Sequence, residues 1–93
     1  MYSRMLKRLR GLVLGSRYVV TLHAYDEMAA DDLTVWDVES VFLTGEILER
    51  QKDVESSESK YRLRGSSLGG APVEVVGKLS VTGKLVIITV YAL

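Results

Sequence analysis

Tyr2, Met5, Leu6, Leu9, Leu12 and Val13 recur at intervals of three and four residues. That spacing gathers them on one face of a helix over residues 2–13, with a basic outer face opposite. Gly15 is the expected stop, since glycine accepts the left-handed conformation. Arg17 to Thr21 is a short β-rich run, and His23 to Ala30 reads as a second helix with Asp26 and Glu27 near its positive end. Thr34 is the expected N-cap of a third helix, with Asp37 three residues on in a variant of the capping box. Val35, Val38, Val41 and Phe42 form its apolar stripe, Trp36 stands at the edge, and Gly45 follows as the stop. Burial of Trp36 and Phe42 against a sheet is expected to supply much of the core.

Beyond Gly45 the period changes to that of strands. Glu46 to Lys52, Lys60 to Arg64, Pro72 to Leu79 and Lys84 to Tyr91 are the four predicted runs. They are separated by a polar turn at Asp53–Ser59, a loop at Gly65–Gly70 and a turn at Val81–Gly83. Short connections predict an antiparallel meander, and the last run, apolar on both faces, predicts an internal strand. The expected fold is therefore α+β, with N-terminal helices packed on a four-stranded antiparallel β-meander. It is read as a single domain over residues 1–93: a basic amphipathic helix in 1–15, a short strand and two helices in 16–45, and the sheet in 46–93.

Alternation sorts the strand side chains. Tyr61 and Leu63 share one face, Arg62 and Arg64 the other. In the last strand Val86, Ile88 and Val90 are assigned to the core, leaving Leu85, Ile87, Thr89 and Tyr91 opposite. The face away from the helices then displays Arg62, Arg64, Glu74, Thr89 and Tyr91.

Composition narrows the chemistry. Among 93 residues, 47% are hydrophobic and 26% charged, the balance of an ordinary globular domain. No cysteine is present, which excludes a disulfide framework and a thiolate zinc site. His23 is the one histidine, so no multi-histidine metal site forms within one chain, and neither metal nor cofactor is expected. Twelve Lys and Arg cancel twelve Asp and Glu, which argues against strong unspecific nucleic-acid binding. The cancellation is uneven, however. Residues 1–22 carry five cations and no acid; residues 23–59 carry eleven acids against Arg50 and Lys52; residues 60–93 carry five cations against Glu74. Such blocks are either solvated faces or, in the sharper reading, two basic ends that meet as an anion-binding surface. Leu85 to Leu93 is too short to span a membrane, and Leu12-Val13-Leu14 is too short for an export signal. A cytoplasmic protein with no membrane partner is the expectation.

Thr21-Leu22-His23-Ala24, Met28, Asp37-Val38, Gly45-Glu46-Ile47, Pro72-Val73-Glu74-Val75-Val76 and Ile88-Thr89-Val90-Tyr91 occur in that order. Over about residues 18–91 this set resembles the bacterial domain-of-unknown-function family 4258. The resemblance implies a RelE-like or barnase-like fold class and the activity of a small RelE-like ribonuclease toxin of a toxin–antitoxin system. Some members are similar in setting to toxins paired with zinc-finger antitoxins. Where the family usually has histidine after the Pro-Val pair, this chain has Glu74.

RNA cleavage without metal needs a base for the 2′-hydroxyl, an acid for the leaving oxygen and cations for the phosphate. His23, at a strand-to-helix junction, is a candidate for acid or base work, because histidine as a residue type titrates near neutrality. Its plain alternative is a helix-start residue bonded to backbone. Glu74 is a candidate base in place of the family histidine, or else a cross-strand partner of Arg62 or Arg64. Arg62 and Arg64 are the candidate phosphate- and RNA-binding pair, or a solvated strand face. Thr89 and Tyr91 are candidates for positioning or donating to the phosphate, or residues chosen for β-propensity. Gly69-Gly70 is a turn, with no Gly-Lys-Ser/Thr to make a phosphate loop.

Two functions stay open at this point. One is a toxin-type, metal-independent endoribonuclease with RNA and a cognate antitoxin as partners. The other is a non-catalytic binding or self-assembly module that forms a homo-oligomer through residues 1–14.

Overall fold

A computed structural model describes residues 1–52, 55, 56 and 58–93. Helices α1 (Ser3–Leu14), α2 (Leu22–Ala30) and α3 (Val35–Thr44) and strands β1 (Tyr18–Val20), β2 (Glu46–Lys52), β3 (Ser59–Ser66), β4 (Pro72–Leu79) and β5 (Leu85–Ala92) follow the expected α+β order. The sheet runs β1-β5-β4-β3-β2. β2 to β5 form the antiparallel meander, while the short β1 adds a fifth strand, parallel to β5. The polar turn expected at Asp53–Ser59 lies partly outside the described residues, at positions 53, 54 and 57, and Ser59 already opens β3. Among the described residues no helix is long and apolar enough to cross a membrane.

The helix ends follow local chemistry. Thr34 Oγ1 accepts from the Asp37 amide at 3.2 Å and the Asp37 carboxylate accepts from the Thr34 amide at 2.9 Å, a complete capping box. The other Asp37 oxygen accepts from the Leu68 amide at 2.9 Å, tying the β3–β4 loop to the start of α3. The Thr34 amide, followed by that of Leu68, holds the Asp37 carboxyl below its ordinary range. Thr21 caps α2 by accepting from the Ala24 amide. Asp26 and Glu27 do not serve the positive end of α2, which has no acid in its first turn. Glu27 and Asp31 instead accept from the Val90 and Ala92 amides, at 3.1 and 2.8 Å, beyond the part of β5 that β1 covers.

The core lies between the helices and one sheet face. Leu9 and Val13 of α1, Ala24 and Met28 of α2, and Val38, Val41 and Phe42 of α3 are buried against Leu63, Val73, Val75, Leu85, Ile87 and Val90. Phe42 is fully buried, and its truncation to alanine is expected to cost about 3–5 kcal/mol. Trp36 is not part of this core: it stands 66% exposed. It follows Val35 directly, and the helical stripe of Val35, Val38 and Phe42 leaves it facing outward. Gly45 and Gly65 let the end of α3 settle onto β3; a Cβ on Gly65 would lie 2.6 Å from the Val41 carbonyl oxygen.

β5 corrects a second expectation. Leu85, Ile87 and Val90 are buried, whereas Val86 and Ile88 are only half-buried. The register passes from Gly77↔Ile87 to Val76↔Thr89, so Ile88 is an extra residue in the strand. Such a β-bulge reverses the alternation beyond it. Thr89 and Tyr91 still reach the open face, but Leu85 and Ile87 join the core.

Candidate functional site

The open face is organised by register. Glu74 on β4 lies opposite Arg64 on β3 and opposite Tyr91 on β5, and Val76, one pair along, lies opposite Arg62 and Thr89. Neighbouring strands thus bring Arg62, Arg64 and Tyr91 around one carboxylate. Arg64 donates from Nε at 3.0 Å and from Nη2 at 2.6 Å to Glu74 Oε2. Arg62 Nη1 donates to Oε1 at 3.1 Å, and the Tyr91 hydroxyl donates to the same oxygen at 2.5 Å.

Glu74 is therefore not displayed on the open face. It is 3% exposed, beneath the side chains that bond it. The arginines above it stay in contact with water, Arg62 at 34% and Arg64 at 51%. The Tyr91 hydroxyl first, then Arg64 and Arg62, bring the Glu74 carboxyl down to about 2, against the opposing effect of burial. Glu74 in turn raises Tyr91 and Arg62, fixing the phenol as neutral and the guanidinium as charged. A carboxylate held this low is a weak proton acceptor at neutral pH. Its geometry suits holding two guanidinium groups in fixed planes.

An arginine carries five N–H donors. Arg64 spends two of its own on Glu74 and Arg62 one, so the pair retains donors for a second anion. Glu49 of β2, 3.7 Å from Arg62 Nε, is a further carboxylate on this face that the sequence reading did not single out. The signal was its register: it faces Arg62 across β2 and β3.

His23 stands apart. It sits in the first turn of α2, 70% exposed, with Nε2 3.3 Å from Glu27 Oε1. The same Glu27 oxygen accepts the Val90 amide, between Thr89 and Tyr91. A carboxylate thus links His23 to the strand that carries the other candidates. Among the described residues, no hydrogen bond joins His23 or Thr89 to the Glu74 cluster. Among them, too, no group of three or more His, Asp or Glu is placed to hold a metal ion.

The two basic ends of the chain meet only in part: Arg17 and Lys84 line one cleft, but the candidate pair Arg62 and Arg64 lies on the other face from α1. Arg62 and Arg64 point away from the helices, whereas α1 packs on the Tyr61 and Leu63 side. Arg10 has left the basic outer face expected of α1. Its Nε donates to the Phe42 carbonyl at 2.6 Å and its Nη2 to the Gly45 carbonyl at 3.0 Å, closing the end of α3.

A helix-and-meander fold with a carboxylate-anchored arginine pair on its open sheet face is the structure of a small α+β domain. The family model described as "Domain of unknown function (DUF4258)" matches residues 20–92, and the chain belongs to that family. No curated protein and no solved structure matches the chain.

Proposed function

We propose that this protein is a RelE-like toxin-type endoribonuclease that cleaves RNA without metal on its open sheet face. The observation that carries the reading is the cluster in which Glu74 holds Arg62, Arg64 and Tyr91 side by side at the surface. A phosphodiester lying over the cluster meets the N–H groups that the arginines do not spend on Glu74. Glu74 acts as a positioning residue here, and Tyr91 donates to the phosphate or is held ready to do so. His23, paired with Glu27, is the side chain proposed to move the proton. Thr89 of β5, opposite Val76, is proposed to help position the phosphate. A toxin of this kind works with a cognate antitoxin, which the proposal takes as its protein partner.

The full-length protein, incubated with RNA in EDTA, is expected to cut it. Arg62→Ala/Arg64→Ala should lower the rate by about 100-fold or more, in line with removal of phosphate-stabilising donors. His23→Ala should lower it comparably with the fold intact by circular dichroism. Cleavage that survives both changes, or that requires added divalent metal, would remove this reading.

The second reading is self-assembly through residues 1–14. Arg4, Lys7 and Arg8 of α1 make no ion pair among the described residues, which leaves their charge free for an acidic surface. Since Leu9 and Val13 belong to the core, the suitable test is charge reversal of Arg4, Lys7 and Arg8, not deletion of the helix. A lower mass in light scattering supports assembly; an unchanged mass rejects it.

A further inference from the structure

On the helix side of the sheet, the start of α1 and the paired positions Arg50 and Tyr61 of β2 and β3 enclose a cleft of about 350 Å³. Arg4 and Arg8 lie one helical turn apart, and Arg50 joins them from the strand across the opening. Tyr2 and Met5 supply the apolar part of the lining. Among the described residues, none of these three arginines makes a hydrogen bond or an ion pair, in contrast to Arg10, Arg62 and Arg64.

Tyr61 gives the cleft a floor. It is only 3% exposed, and its hydroxyl makes no hydrogen bond among the described residues. Among the described residues, no side-chain oxygen or nitrogen sealed from solvent lacks a partner. The Tyr61 hydroxyl must therefore reach solvent, and the cleft is the opening that Tyr61 lines. A hydroxyl without a protein partner, on a nearly buried side chain that lines one cleft with three arginines free of ion pairs, is a prepared place for an oxyanion. A phosphate oxygen accepts from both tyrosine and arginine.

We infer that this cleft binds a phosphate carried on a nucleotide-sized group, with Arg4, Arg8 and Arg50 on the phosphate and Tyr61 donating from below. The volume falls within the range of small-ligand sites and exceeds what a bare phosphate fills. Tyr2 and Met5 offer the apolar surface that a base or sugar covers. The site stands independently of the sheet-face reading, because it lies across β3 from Arg62 and Arg64. The phosphate can belong to a free nucleotide or to a unit of an RNA chain.

Isothermal titration of the full-length protein in low salt with UMP, a uridine hexamer and inorganic phosphate tests the site. One saturable UMP site is expected. Arg50→Gln should weaken it about tenfold and Tyr61→Phe about threefold, while Arg17→Gln, an exposed arginine outside the cleft, leaves it within twofold. Folding of each variant is checked by circular dichroism, and Arg50, being exposed, tests the site even if Tyr61→Phe disturbs packing. Hexamer binding at least tenfold tighter than UMP supports the site with an RNA chain as the source; equal affinities support it with a free nucleotide. Absence of saturable binding overturns the inference. So does binding that Arg50→Gln leaves unchanged, or inorganic phosphate binding as tightly as UMP. RNA cleavage lost on the sheet face does not bear on this result, since the readout is equilibrium binding by Arg50 and Tyr61 variants.

Discussion

Arg62 and Arg64 on one side of β3, and Arg4, Arg8 and Arg50 on the other, are matched in residue type and opposite in circumstance. The first pair is held by a buried carboxylate that is itself closed over by the arginines and Tyr91. The second group has no carboxylate partner among the described residues and lines one cleft with Tyr61, whose hydroxyl has no partner among them either. The first arrangement is fixed in geometry but largely neutralised, so it favours orientation of a bound group over attraction. The second keeps its charge but leaves long side chains free, so it favours attraction and binding. Counting arginines does not separate the two cases; the position of one glutamate does.

The largest effect that breaks this contrast is expected from Glu74→Ala. It leaves Arg62 and Arg64 without their shared anion and Tyr91 without its acceptor. Urea denaturation should show a loss of about 2–3 kcal/mol, toward the lower end for a buried pair because the arginines keep contact with water. An unchanged midpoint would mean that the carboxylate contributes nothing to the fold.

Acid should erase the same contrast more gradually. The Glu74 carboxyl is lowered from its ordinary 4.5 to about 2 in the folded protein. Its contribution is therefore present in full above about 4.5 and is lost as pH falls toward 2. The wild type should lose stability through this window relative to Glu74→Gln, read as thermal midpoints across a pH series. Parallel pH profiles for the two proteins would contradict the assignment.

A smaller effect is expected from Arg10→Met, which keeps the aliphatic stem but withdraws the two donors from the end of α3. A loss of about 1–2 kcal/mol is the expectation, again by urea denaturation. The smallest belongs to the cleft: Arg50→Gln should shift stability by less than about 0.5 kcal/mol, as for surface residues without partners. A substantial loss there would show that Arg50 holds the fold together and would bring the two sides of β3 into the same class.

Much of the fold was legible because local signals agreed. Thr34 and Asp37 announced α3 and Gly45 its end, and Glu46–Lys52 and Pro72–Leu79 ran as predicted; Gly15 does follow α1, but the left-handed residue there is Ser16, at φ 55°, not the glycine. Trp36 was misplaced because size suggested burial where the helical stripe pointed outward. Val86 and Ile88 were misplaced because alternation assumes an unbroken ladder, and a bulge depends on the opposing strand. The candidate cluster was legible in part: alternation put Arg62, Arg64, Glu74 and Tyr91 on one face, but the burial of Glu74 under the other three follows from the register of three strands. The role of Arg10 was not, since Phe42 and Gly45 lie more than thirty residues away from it. Nor was the cleft, for Arg50 sits within an acidic stretch and meets Arg4 and Arg8 only in three dimensions.

Glu27 and Asp31 give the sheet a property of its own. β1 covers only Leu85–Ile87, so β5 continues past it with backbone donors facing outward. The two carboxylates of α2 occupy the Val90 and Ala92 amides that an incoming strand would need. At the far edge, β2 presents Glu46, Glu49, Arg50 and Lys52 along seven residues, a charged border poorly suited to strand addition. A second chain that tries to pair with β5 beyond β1 finds those two amides taken, and along β2 it meets charge. Both features disfavour edge-to-edge pairing at the places they cover, which matters most when many copies are crowded together.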